Sequence, residues 1–197
     1  ELAYILIDAG AQVLLVHTAL MDVAKEALEL TNHVGHVVVI GGDGDLPEGW
    51  AHYADWIAGR PTELTAADTH RADFSTLNYS SGTTGAPKGI YHAHQDCPLT
   101  AQLWGEDVLG MTSEDRTFSV AKLFFTFGLG GNLLFPWSVG ASVVLYAGSP
   151  RKATDVLGMI DRFKPTILFN APTGYASMLA IDGFTDHWDI TSLRAGV

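Results

Sequence analysis

Two short runs constrain the fold more than anything else in the chain: Val13-Leu14-Leu15-Val16 and Val37-Val38-Val39-Ile40. Each is apolar at successive positions, which is how strands covered on both faces read. Between them Leu20, Ala24, Ala27 and Leu28 recur at helical spacing. A strand, an amphipathic helix and a second strand imply a parallel pair with the helix packed across it. The alternation returns downstream. Thr117 to Val120, Ser142 to Tyr146 and Thr166 to Phe169 read as strands, and Val156, Met159, Ile160 and Phe163 form a helical stripe that Pro165 stops. Pro172 opens a further helix, and a new strand starts at Leu193 to Val197. The expected class is α/β, a mostly parallel sheet flanked by helices.

Other stretches fill in the order. Leu2, Ile5, Leu6 and Ala9 predict a helix ending at Gly10. Trp50, Tyr53, Trp56 and Ile57 predict a short helix, and Asp96 to Gly110 a longer one with Leu99, Leu103 and Leu109 inward. Gly41-Gly42-Asp43-Gly44-Asp45 reads as a surface turn, because its aspartates would repel phosphate. Arg60 to Asp73 is polar and reads as an exposed connector. The chain thus divides into a βα segment (1–59), a connector (60–73) and a second segment (74–197). It opens mid-helix at Glu1-Leu2-Ala3 with no start methionine, so an internal piece of something longer is expected.

Composition narrows the function classes. With 22 acidic against 11 basic residues the net charge is −11, which argues against nucleic acid or an anionic membrane as partner. No apolar run reaches the length of a membrane span. The lone Cys97 excludes an internal disulfide and fits a reducing, cytoplasmic setting. His92 and His94 lie two apart, but two ligands without a third do not make a metal site.

One stretch carries chemistry: Tyr79-Ser80-Ser81-Gly82-Thr83-Thr84-Gly85-Ala86-Pro87-Lys88-Gly89. A strand-like run from Phe74 leads in, and another, to Ala93, leads out. Glycines let backbone N–H groups approach an anion, the hydroxyls of Ser80, Ser81, Thr83 and Thr84 add donors, and Lys88 adds a positive charge. Charge-assisted hydrogen bonds contribute about 1.5–3 kcal/mol each, so four or five would hold a polyphosphate. The pattern is not the P-loop of common nucleoside triphosphatases, because Pro87 precedes Lys88 and a strand rather than a helix follows. A solvated Ser/Gly linker is the plainer alternative, but it would not sit between two apolar runs.

This stretch resembles the phosphate-loop signature of the adenylate-forming superfamily: acyl- and aryl-CoA synthetases, luciferases and adenylation domains. A second stretch, Ala121-Lys122-Leu123-Phe124-Phe125-Thr126-Phe127-Gly128-Leu129-Gly130, is similar to the segment where many relatives carry a Pro-Leu-Phe-His-like run, and its aromatic form resembles the benzoate-CoA ligase branch. The resemblance implies part of the N-terminal domain of an acyl-CoA synthetase-like fold. It implies that Ser80, Ser81, Gly82, Thr83, Thr84, Gly85, Lys88 and Gly89 hold ATP, with Lys88 catalytic. Phe125, Thr126, Phe127 and Gly128 are implied to line the pocket for an aromatic carboxylic acid, with Asn170-Ala171-Pro172-Thr173 near it. Lys122 reads either as solvent-facing or as complement to a carboxylate or phosphate. Coenzyme A is the implied acyl acceptor. Mg²⁺ is implied too, its ligands mostly outside the chain, as are the ribose-binding aspartate and the C-terminal domain with its lysine. The chain alone should not turn over, and homo-oligomerisation is left open. The alternatives are another adenylate-forming enzyme, such as a fatty acyl-CoA synthetase or a carrier-loading adenylation domain, and an inactive anion-binding module.

Overall fold

β1 (Val13–His17) and β2 (His36–Ile40) pair in parallel from Val13 opposite His36 to His17 opposite Ile40, with α2 (Met21–Leu28) in the crossover. The expected βαβ unit is present. In the computed structural model, residues 1–81, 85–148 and 152–197 are described. Two compact units divide the chain, Glu1–His92 and Ala93–Val197.

In the first unit, α1 (Leu2–Asp8) buries Ala3 and Leu6 against Ala27 of α2, and Ala24 packs with Val16, Val37 and Val39. β1 is covered on one side only: Val16 is buried, whereas Val13 and Leu15 are exposed. Its four apolar residues therefore overstate its burial. Trp50 departs from the expected helix. It begins β3 (Trp50–His52), which pairs in parallel with β2, and the helix α3 starts only at Tyr53 (Tyr53–Ile57). The indole joins the cluster of Val37 and Val39, so tertiary burial overrides a three-residue spacing that suited a helix. Residues 60–73 are exposed and irregular. β4 (Phe74–Ser80) and β5 (Lys88–Ala93) then form a two-stranded sheet.

The second unit holds a four-stranded sheet in the order β7-β6-β8-β9. β6 (Arg116–Ser119) is parallel to β7 (Ser142–Val144) on one side and to β8 (Ile167–Phe169) on the other, and β8 is parallel to β9 (Ala195–Gly196). Both faces are covered. Phe118 and Leu168 pack with Val156, Leu157 and Ile160 of α7 (Ala153–Phe163) and Met178 of α8 (Pro172–Leu179). Ile167 and Phe169 alternate to the other face and meet Ala101, Met111 and Phe135. Full burial of such side chains stabilises by about 1.5–3 kcal/mol each. The short helix α9 (Phe184–His187) precedes β9.

The helix expected over Asp96 to Gly110 is α-helical only as α4 (Asp96–Thr100), and Ala101–Val108 is a π-helix. Its bonds reach further back, Leu109 N–H donating to the Trp104 carbonyl at 3.1 Å. The wider turn changes which residues face inward. Ala101 and Gly105 are buried, while Leu99 and Leu103 are half exposed. Gly105 lets the backbone approach α6 (Phe135–Ser138) closely, since a Cβ there would stand 3.1 Å from that of Phe135. A second π-helical stretch, Gly130–Leu134, follows α5 (Thr126–Leu129) and carries the buried Asn132. The Asn132 amide accepts from the Thr117 hydroxyl at 2.8 Å and donates to the Val144 carbonyl at 2.9 Å.

A buried carboxylate ties the sheet's lower ends together. Asp115 accepts a two-pronged contact from Arg194, at 2.8 Å from Nε and 2.7 Å from Nη2, plus the Thr166 hydroxyl at 2.6 Å and the Thr112 N–H at 2.9 Å. Arg194 also donates to the carbonyls of Leu109 and Gly110. Hydrogen bonds from the guanidinium, opposed by burial and reinforced by Thr166, hold the Asp115 carboxyl well below the usual carboxylate range. Asp115→Asn should therefore lower the urea unfolding midpoint, by about 2–3 kcal/mol of stability at neutral pH. The folded pKa is depressed, so this stabilisation is complete above the ordinary carboxylate value of about 4 and is lost as pH falls below it. The gap between wild type and Asp115→Asn should narrow when the same unfolding curves are recorded near pH 3.

Candidate functional site

The carboxyl ends of β6 and β8 open onto a cleft of about 320 Å³ in the second unit. β6 delivers Val120, whose N–H donates to the Phe169 carbonyl at 3.0 Å, and a turn in which the Phe125 N–H donates to the Lys122 carbonyl at 3.0 Å. The chain then enters α5. Ala121, Lys122, Phe125 and Phe127 line one wall, and Asn170, Ala171, Thr173 and Gly174 line the other. Phe127 lies edge-on to Phe169, with centroids 5.7 Å apart. Phe124, Phe125 and Phe127 are 81%, 59% and 44% exposed, so this aromatic run is not core. Thr126 is exposed at the start of α5 and does not line the cleft. Gly128 is buried behind it, where a Cβ would fall 2.3 Å from the Lys122 carbonyl oxygen, and only glycine fits.

The opposite wall is held from behind. The Asn170 backbone donates to the Val197 carbonyl at 3.0 Å, and its side-chain oxygen accepts from the Ala171 N–H at 2.9 Å. A Cβ on Gly174 would lie 2.2 Å from that oxygen. Tyr175 donates to the Leu168 carbonyl at 2.8 Å, and burial pushes its phenol pKa up. The family resemblance implied the Asn170 to Thr173 corner of this wall; it singled out neither Val120 nor Gly174.

Lys122 is half-buried and borders the cleft rather than standing free in solvent. Its ammonium donates to the carbonyls of Tyr146 and Gly148, the latter at 2.8 Å, and sits 4.4 Å from the centroid of the Tyr146 ring.

In the first unit, Ser80 ends β4 and Lys88 begins β5. Ser80, Ser81, Lys88 and Gly89 are exposed, and Lys88 forms no ion pair with a described residue. Gly85 has φ +113°, a conformation that L side chains rarely adopt. Gly82, Thr83 and Thr84 lie outside the described residues. The base of the stretch is tied to α1, the Tyr79 hydroxyl donating to the Asp8 carboxylate at 2.6 Å. That hydrogen bond pushes the Tyr79 pKa up to about 12. Among the described residues no group of three or more His, Cys, Asp or Glu could hold a metal ion. Among them, too, no helix is long and apolar enough to cross a membrane.

Comparison with known proteins supplies the context. The family described as AMP-binding enzyme matches residues 1–197. Benzoate–CoA ligase of Thauera aromatica is 41% identical over 177 residues, 90% of this chain and 32% of that protein. The crystal structure of the anthranilate CoA ligase AuaEII in complex with anthranoyl-AMP superposes on all of this chain and 37% of its own, with TM-score 0.91 and 55% identity. A benzoate CoA ligase from Burkholderia xenovorans LB400 covers 92% of this chain and 34% of its own, with TM-score 0.77 and 31% identity. The chain thus spans about a third of the length of the relatives it matches.

The Tyr79–Asp8 contact has a direct spectroscopic signature. A raised phenol pKa means that the contact stabilises below the ordinary value of about 10 and is lost as pH climbs from there toward 12. Tyrosinate absorbance followed through alkaline pH should contain a late component near 12, which Asp8→Ala moves back toward about 10. An Asp8→Ala titration that superposes on the wild type would contradict the contact.

Proposed function

We propose a function from one premise: the chain belongs to the AMP-binding enzyme family. The whole protein is an AMP-forming acid–thiol ligase that activates an aromatic carboxylic acid with ATP and passes the acyl group to coenzyme A. The observation that carries the aromatic half of this reading is the cleft walled by Phe125 and Phe127 at the ends of the parallel strands. Ligands of open α/β sheets bind there, and phenylalanine rings favour a flat, apolar ring by offset or edge-on contact. The names borne by the Thauera relative and the AuaEII structure, benzoate and anthranilate ligases, point the same way.

The chemistry runs in two steps. A carboxylate oxygen attacks the α-phosphorus of ATP, the bond to the β-phosphate breaks, and pyrophosphate leaves with its electrons. The thiol sulfur of coenzyme A then attacks the acyl carbon and AMP departs. The substrate carboxylate is already ionised at neutral pH, so the first step needs no general base. It needs positive charge and N–H or O–H donors for the leaving pyrophosphate. Ser80, Ser81, Thr83, Thr84 and Lys88 are assigned to the β- and γ-phosphates, with Gly82, Gly85 and Gly89 shaping the loop. Phe125 and Phe127 are assigned to the acid by contact and Gly128 by allowing α5 to pack on the Lys122 backbone, while Thr126 belongs to the same segment without lining the cleft.

ATP–pyrophosphate exchange by the full-length protein, run with benzoate, aminobenzoates and hydroxybenzoates against acetate and long-chain acids, tests this reading. Exchange with aromatic acids only is expected. Exchange with long-chain acids alone overturns the pocket assignment, and none with any acid supports an inactive anion-binding module. Lys88→Ala should slow adenylate formation by about 10²–10³. An unchanged rate would remove Lys88 from the assignment.

A further inference from the structure

We infer that Lys122 is a positioning residue for the acid cleft: it fastens the turn that presents Phe125 and Phe127 to the chain leaving β7, and so sets affinity for the acid rather than for ATP. The inference rests on the proposed aromatic-acid reading of that cleft.

Both ends of Lys122 are engaged. At the backbone end, its carbonyl accepts the Phe125 N–H at 3.0 Å, and Phe125 in turn accepts from the Leu129 N–H at 2.7 Å, so the turn runs directly into α5. Gly128 packs against the same carbonyl. At the far end, the ammonium donates to the carbonyls of Tyr146 and Gly148 and lies over the Tyr146 ring. That ring stands edge-on to the buried Phe118 of β6, with centroids 5.9 Å apart. The segment carrying the phenylalanines has little burial of its own, since three of its rings are 44–81% exposed. Its placement therefore leans on this cross-link to the packed sheet. Backbone carbonyls beside an aromatic face hold a cation firmly without presenting a counter-charge that a substrate would have to displace. Lys122 itself borders the acid cleft, but its ammonium is engaged by Tyr146 and Gly148, neither of which lines it.

The test is steady-state exchange kinetics of the full-length enzyme. Lys122→Met keeps the apolar stem and loses the donors. It should raise the KM for the aromatic acid on the order of tenfold, the scale expected when a binding wall shifts by a fraction of an ångström, while the KM for ATP stays unchanged. Lys122→Arg, which retains donors for the two carbonyls, should restore the acid KM to within about threefold. Gly148→Ala gives an independent variant that leaves Lys122 in place. Its Cβ would stand 2.5 Å from the Tyr146 ring, so the anchor must shift and the acid KM should rise in the same direction. If Lys122→Met does not fold, Gly148→Ala decides alone. Unchanged acid KM in the variants, with an active wild type, overturns the inference and leaves the functional reading standing. So does a parallel rise in both KM values, or a rise in acid KM accompanied by a rise in kcat, which would put the ammonium on the carboxylate before attack. A wild type without aromatic-acid exchange overturns the functional reading, and this inference with it.

Discussion

The double parallel pairing of β6 is the constraint on which the second unit depends. With β7 on one side and β8 on the other, three consecutive sheet strands discharge their carboxyl ends at one edge. The turn bearing Phe125 and Phe127 follows β6, the carbonyl anchors at Tyr146 and Gly148 follow β7, and the Asn170 to Gly174 wall follows β8. Segments separated by tens of residues meet because the strands before them are in register. Register in turn is set by burial on both faces, since Phe118 and Leu168 point one way and Thr117, Ile167 and Phe169 the other. Slipping any strand by one residue would exchange these sets and place Thr117 in the Phe118 site.

Polar groups inside this sheet are few and each is answered. The Thr117 hydroxyl would be expensive at full burial, but it donates to Asn132, which donates onward to the Val144 carbonyl of the neighbouring strand. Asp115 does the same at the other end of the strands with Arg194, Thr166 and Thr112. The two networks bracket the apolar layer. One lies on the face that carries the π-helix, the other where the strands begin, and the open edge is left for the cleft.

What could be read from the sequence follows the range of the physics. Short apolar runs and 3.6-residue stripes are local, and they located β1, β2, β6, β8 and α2 to within a residue or two and α7 to within three. Trp50 was misplaced because the pairing of β3 with β2 is a long-range choice. Leu99 and Leu103 were turned the wrong way because a π-helix shifts the inward face, and no residue spacing announces that. Asp115 and Arg194 are 79 positions apart, far beyond any periodicity. The candidate residues show the same limit. Phe125 and Phe127 were found from a motif, yet the reason they stand out from the core, Gly128 and the Lys122 tether, is a matter of packing. For the phosphate loop the residue types were legible, but Gly82, Thr83 and Thr84 lie outside the described residues, so only the limbs, Ser80-Ser81 and Lys88-Gly89, have a described setting.

The different settings of the chain's two motif lysines follow from what the proposed reaction asks of each. The carboxylate is negative before attack and loses that charge on forming the mixed anhydride, whose remaining charge sits on the phosphoryl oxygen. An ammonium paired directly with that carboxylate would stabilise the ground state more than the transition state, lowering KM at the expense of kcat. Lys122 borders the cleft, but two carbonyls and a ring face engage its ammonium, which on the proposed reading leaves apolar contact to select the acid. Negative charge grows instead on the departing pyrophosphate, and there a cation with no competing partner is useful. Lys88 is exposed at the head of β5 and unpaired among the described carboxylates, in a chain whose net charge of −11 supplies little other positive field.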